Sequence, residues 1–261
     1  MNTPQYYSGA IDAPACISNG WNLVKPNYWM YFGITLLMWV MISCVPCVNV
    51  VVMGPVLTGV YYVFLRDMRG EPVDFGMMFK GFEKFLPAMV IGLLQAIPGI
   101  IIQILQYSVD LTRIIVENSG GLRRGNFFAS EPDIAVAGGF LVIYLIIAVV
   151  GVILAIAWSI TFMFALPILA ENEIGPIEAI TLSARAGWSN VGGIILLAIL
   201  QFFVALLGAL ALCIGVFFVL PIIYAASAFA YRQVFPDFRP SNMRNTPPPP
   251  DAYGGSFGRG M

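Results

Sequence analysis

The most chemically suggestive spacing in the chain is Cys44-Val45-Pro46-Cys47. Two cysteines three positions apart can close a disulfide in an oxidising compartment or act as a redox pair. A metal ion needs more ligands than Cys44 and Cys47 supply, and neither has a His or Lys neighbour to lower its thiol pKa. The plainer reading is two small side chains packed where the chain turns. The chain has no histidine, which removes Ser–His and Cys–His nucleophilic catalysis, His-ligated haem and most catalytic zinc sites. The expectation is therefore a non-enzymatic protein with no cofactor and no metal centre.

The other polar groups fall into three sets. Gln95, Gln103 and Gln201, with Ser159 and Thr161, sit inside long apolar runs. They could line a solute path, or make interhelical hydrogen bonds worth ~0.6 kcal/mol each on average. Glu171, Glu173 and Glu178 cluster after one such run. They could hold a cation, pair with Arg185 and Arg232, or mark a solvated helix end. Arg66, Arg69, Lys80 and Lys84 form the main basic cluster and fit contact with anionic lipid headgroups at ~1 kcal/mol per charge.

The elements that position these groups follow from charge. Hydrophobic residues make up 59% of the chain and charged residues 10%, against roughly 25% charged in a soluble domain. No Asp, Glu, Lys or Arg lies between Lys25 and Arg66, Lys84 and Asp110, Asp133 and Glu171, or Arg185 and Arg232. Spanning a bilayer takes about 20 apolar residues, and unpaired backbone in lipid is costly enough that such runs must be helices. The fold class expected is an all-α integral membrane protein with six transmembrane helices in three hairpins. Pro46 and Asn49 break the first run, giving helices over about 28–45 and 48–65. The next spans are expected at 85–107, with Pro98 kinking it, at 191–212 and at 216–231.

The run 134–170 is read as one long, tilted helix, because splitting it at Gly151 would reverse the charge bias. With six spans one side carries Lys25, Arg66, Arg69, Lys80, Lys84, Arg185, Arg232, Arg239, Arg244 and Arg259, and the other Arg113, Arg123 and Arg124. The positive-inside rule then places both termini in the cytoplasm. The N-terminal segment 1–26 lacks a charged n-region followed by an apolar stretch, so no cleaved signal is expected, nor a lipoprotein signal at Cys16.

The expected organisation runs in order along the chain. A cytoplasmic segment 1–26 with an interfacial helix leads into hairpin 27–66, then a cytoplasmic interfacial segment 67–84. The second hairpin covers 85–170 and carries an outer loop at 108–132, whose start, Val109 to Val116, could extend the helix before it until Ser119-Gly120-Gly121 breaks it. An interfacial helix at 171–190 precedes hairpin 191–232, and a Pro- and Gly-rich disordered tail occupies 233–261.

The first and last hairpins echo each other. Gly20-Trp21 opens one and Gly187-Trp188 the other; Cys47 precedes Pro55 by eight residues, as Cys213 precedes Pro221; Pro55 precedes Arg66 by eleven, as Pro221 precedes Arg232. Gly81-Phe82 is a fainter third copy. Pro176, Glu178 and Arg185, before a Gly187 stop, give a short interfacial helix over 177–186. Pro72 and Asp74 open a second, with Phe75, Met78, Phe79 and Phe82 on one face. Gly54, Gly59, Gly92, Gly99, Gly138, Gly139, Gly192, Gly193 and Gly208 are read as helix-packing positions.

Phe164-Ala165-Leu166-Pro167-Ile168-Leu169-Ala170-Glu171-Asn172, followed by Gly175-Pro176-Ile177-Glu178-Ala179-Ile180-Thr181-Leu182-Ser183, resembles a motif of bacterial membrane families. These are the YciC-like proteins and the membrane domain attached to some glycerophosphodiester phosphodiesterases. Gly54-Pro55 through Arg66, with Gly70-Glu71-Pro72, is similar too. The resemblance covers roughly 17–235 and implies a six-helix bundle in the bacterial cytoplasmic membrane without a known activity; the phosphodiesterase catalytic domain is absent. The expected function is to organise lipid or partner proteins, the rival being a passive pore or small-solute transporter. Expected partners are membrane lipids and a membrane-protein partner or second copy; a net charge of −1 gives no reason to expect nucleic acid.

Overall fold

The computed structural model describes residues 5–43, 49–118, 134–210 and 215–236. Its regular structure, among the described residues, is entirely helical. The α-helices are α1 (Ala13–Val24), α2 (Tyr28–Ser43), α3 (Asn49–Met68), α4 (Phe85–Asn118), α5 (Ile134–Phe162), α6 (Ala165–Glu171), α7 (Pro176–Ser189), α8 (Val191–Leu210) and α9 (Gly215–Val234). Two 3-10 segments, Lys25–Asn27 and Phe75–Lys84, lead without a break into α2 and α4. Five stretches are long and apolar enough to cross a membrane: Asn49–Asp67, Phe75–Ile104, Val149–Glu171, Val191–Leu210 and Gly215–Val234. The chain is an all-helical protein with membrane-spanning character.

The structure departs from the sequence reading in three places. First, α4 takes the extension open to it through Val116 and runs on to Asn118, about 50 Å at 1.5 Å per residue, so the outer loop begins at 119 or later instead of at 108. Apolar residues Leu111, Ile114, Ile115 and Val116 keep the run going past Asp110. The rest of that loop and the tail from 237 lie outside the described residues.

Second, the run 134–170 is not one helix. It breaks at Met163-Phe164, between α5 and α6. The cause is Pro167, which lacks an N–H for the carbonyl four residues back and whose ring crowds that carbonyl, at Met163. Ser183 on α7 fills the gap: its hydroxyl donates to Thr161 O at 2.7 Å and accepts from Phe164 N at 3.1 Å. Buried backbone groups freed by the break are thereby satisfied.

Third, Gly187 does not stop α7, which continues to Ser189. It is a contact position instead. A Cβ there would collide with Ile160 O of α5.

The three amphipathic segments all dock the same way, glycine inward. Gly20 of α1 faces α9, where a Cβ would come within 3.0 Å of Ala226 N. Gly81 faces α3, where a Cβ would overlap Pro55 O and Gly59. α1 runs antiparallel along α9, held by Tyr7 N to Val234 O at 2.9 Å, Asp12 N to Gln233 Oε1 at 2.9 Å and Tyr28 OH to Phe218 O at 2.7 Å. Local capping starts these segments: Asp12 accepts from Ala15 N and Asp74 from Met77 N.

Burial is polarised toward one end of the molecule. Tyr31, Ile34, Phe64, Leu65, Met78, Ile91, Phe164, Ile168, Leu169 and Tyr231 form the core there. Toward the other end, α5 exposes Val149, Val150, Val152, Ile153 and Leu154 in near succession, and α8 exposes Phe202, Phe203, Leu206, Leu207 and Leu210. The exposed apolar residues of α5 cover nearly every side of that helix and those of α8 form one broad face, surfaces that water would not tolerate and hydrocarbon would. The α3–α4 seam is close-packed: Gly54 lies against Ala88 and Gly92, the close approach that small residues permit between membrane helices.

Gly54→Val should prevent folding, because its side chain has to displace α4 backbone. Gly99→Val, where a Cβ meets open space, should be tolerated. Size-exclusion profiles of the two variants in detergent check this: a monodisperse Gly54→Val protein would contradict the packing account.

Candidate functional site

The polar groups of the buried end converge on one carboxylate. α6 ends at Glu171, whose side chain is 11% exposed. Arg69 Nη1 donates to Glu171 Oε1 at 2.5 Å, and so does Arg232 Nη2 at 2.5 Å. Glu171 Oε2 accepts from Arg232 Nη1 at 3.2 Å and from Tyr231 OH at 3.1 Å. Arg232 is thus bidentate, the strongest carboxylate geometry available to a side chain. The residues come from the ends of α3, α6 and α9, separated by 102 and 61 positions in the chain.

Local structure sets the geometry on the α3 side. Gly70 has φ +71°, its N–H bonds Asp67 O at 2.8 Å and Glu71 N bonds Arg66 O at 3.3 Å. This is a Schellman stop, in which glycine takes the left-handed position at no steric cost. The reversal carries Glu71 back beneath α3, where it meets Arg69 Nε at 3.0 Å and Arg66 Nε at 3.4 Å. Arg66 also donates to Tyr62 OH at 3.0 Å and Pro72 O at 3.1 Å. Tyr31 of α2 donates to Asp67.

On the far side, Lys84 Nζ donates to Leu169 O at 2.8 Å and Asn172 O at 2.9 Å. It closes the end of α6, where carbonyls lack partners and a cation is favoured. The arrangement can tie helix ends together. Its acid groups are engaged by guanidinium and phenol donors.

The basic residues expected at lipid headgroups are therefore distributed unevenly. Arg66, Arg69 and Lys84 make the internal bonds just described, whereas Lys80 is exposed with Glu83 at 3.5 Å. Of the Glu cluster, Glu171 pairs with Arg232; Glu173, Glu178 and Arg185 are exposed. Gln201 Nε2 bonds Ile223 O at 3.1 Å and Ser227 Oγ at 2.9 Å, linking α8 to α9. Gln103 is exposed, and Gln95 Oε1 is buried with no hydrogen-bond partner among the described residues. Cys44 and Cys47 lie outside the described residues, as does Cys213.

Tyr231, Tyr31, Asp67 and Glu71 were missed in the sequence. Only the Pro-to-Arg spacing of eleven hinted that Arg66 and Arg232 end comparable helices. Cys16 was also overlooked as a packed residue. It is fully buried in α1, its thiol donating to Gln233 Oε1 at 3.3 Å. Burial, and secondarily the Asp12 carboxylate, push that thiol up to about 12.

Comparison with known protein families, curated proteins and solved structures finds no match to this chain.

Glu171→Gln should lower folding stability by about 1.5–3 kcal/mol, the scale of hydrogen bonds to a charged group, because its two arginine partners are only half-buried. Thermal unfolding in detergent checks this, with exposed Glu178→Gln as the neutral control. In a variant whose sole cysteine is Cys16, maleimide labelling at pH 8 should be at least tenfold slower folded than unfolded. The raised pKa leaves little thiolate, the reactive form, at that pH; equal rates would contradict the burial.

Proposed function

We propose that this chain is a non-enzymatic, six-span membrane protein that organises lipid or partner proteins in the bacterial cytoplasmic membrane. The observation that carries this reading is the filled interior of the buried end. Its helices meet at glycine seams and large side chains, and its Glu171 carboxylate is engaged by three donors. A core so occupied supports other molecules better than it passes them.

In this reading α2 is the sixth span: its 16 described residues are uncharged and apolar, and the charge-free run continues beyond Ser43. Both termini face the cytoplasm, on the side rich in Lys and Arg. The chain is built from three units of amphipathic helix plus hairpin. Support for the repeat is the matched docking of Gly20 on α9, Gly81 on α3 and Gly187 on α5, each amphipathic segment lying on the second helix of a neighbouring hairpin. The motif resemblance to YciC-like proteins fits the same architecture. A protein partner or a second copy would meet the exposed apolar faces of α5 and α8.

One observation favours the rival, a passive pore or small-solute transporter: the buried, unpartnered Gln95 Oε1 of α4. Two experiments separate the readings. Proteoliposomes should leak small solutes no faster than empty vesicles, and purification from native membranes should retain lipid or protein partners. Selective solute flux would overturn the organising role. Reporter fusions after Met78, after Glu178 and at the C-terminus should read cytoplasmic, and one after Asn118 external; an external C-terminus would overturn the six-span topology.

A further inference from the structure

Which cations can reach a lipid depends on which are already used. Arg66, Arg69 and Arg232 bond to carboxylates, Lys84 to the end of α6, and Lys80 sits beside Glu83. Lys25 and Arg185 are different. Both are exposed, and neither has an ion-pair or hydrogen-bond partner among the described residues.

Each of the two stands beside exposed tryptophan on the outward face of a helix docked by its inner face. Residues 13–43 are helical throughout, so Trp21, Lys25 and Trp29, four apart, share a face. Trp21 is 41% exposed and Trp29 73%. The opposite face of α1 buries Cys16, Gly20 and Val24. On α7, Arg185 and Trp188 are three apart; Trp188 is 55% exposed and steadied by its Nε1–H to Thr161 Oγ1 at 3.3 Å. Ala179, Ser183, Ala186 and Gly187 face inward.

We infer that Lys25 with Trp21 and Trp29, and Arg185 with Trp188, form two binding sites for anionic phospholipid headgroups at the membrane interface. This rests on the six-span reading, in which α2, α3, α4 and α5 lie between the two sites and return the chain to the same side. The cation supplies charge complementarity to the phosphate. The indole supplies an apolar ring for the upper acyl region and a polar N–H for the headgroup layer. A soluble anion would gain nothing from the flanking tryptophans. The commitment is therefore to a lipid, and the sites shift headgroup recognition away from Arg66, Arg69 and Lys84 to Lys25 and Arg185, which have no internal partner among the described residues.

The test uses full-length protein in detergent, titrated with phosphatidylglycerol or phosphatidylcholine and read by native mass spectrometry. Wild type should retain phosphatidylglycerol preferentially. Lys25→Gln and Arg185→Gln should each weaken retention roughly fivefold at that site, the loss expected for one charge, with thermal unfolding unchanged. The pair Lys25→Arg with Arg185→Lys should retain the lipid, and excess inorganic phosphate should not displace it. Unchanged retention in the double Gln variant, no headgroup preference in wild type, or displacement by phosphate would each overturn the assignment. Solute flux in proteoliposomes is measured separately: a leaky wild type that still selects phosphatidylglycerol would overturn the organising role and leave the lipid sites standing.

Discussion

The carboxylate of Glu171 is the point on which the buried end of this molecule turns. Arg69 from α3 and Arg232 from α9 reach it across 102 and 61 residues of chain, and Tyr231 adds a third donor. Two half-buried guanidiniums brought together without it would repel and lose their charge-assisted hydrogen bonds. The ion-pair network therefore fixes where three helix ends sit relative to one another. The Schellman turn at Gly70 and the Lys84 cap on α6 hold the partners in place.

That lock lets the rest of the molecule be simple. In hydrocarbon there is no hydrophobic force driving helices together, so association depends on close packing and a few polar bonds. The glycine contacts of α1, α3, α4 and α7 provide the packing, and the Gln201 to Ser227 bond provides one polar tie. Away from the lock, α5 is exposed and apolar on nearly every side and α8 along one broad face. One end is thus specified by mutual contact, and the other exposes its apolar side chains.

The helices were legible because charge-free runs of such length leave the backbone no alternative. The break between α5 and α6 is written in Pro167, a residue of the motif that carries the family resemblance, whereas the uninterrupted apolar run 134–170 reads as one helix. Without knowing that Ser183 would satisfy Thr161 O and Phe164 N, there was no reason to place an interruption inside the apolar run. The role of Arg66 and Arg69 was illegible for a different reason. A basic cluster next to a span looks alike whether it meets phosphate or a distant glutamate, and only the fold brings Glu171 to Arg69. Gly187 likewise carried the right composition for a helix stop but met Ile160 instead of solvent.

Two kinds of surface are exposed: apolar flanks on α5 and α8, and the aromatic and basic outward faces of α1 and α7. Both depend on three helix ends being held as one unit by Glu171. Hydrogen exchange on Glu171→Gln measures this directly. The account predicts joint loss of amide protection around residues 66–71, 168–172 and 231–235, with 194–208 of α8 unchanged; loss confined to 168–172 would contradict it.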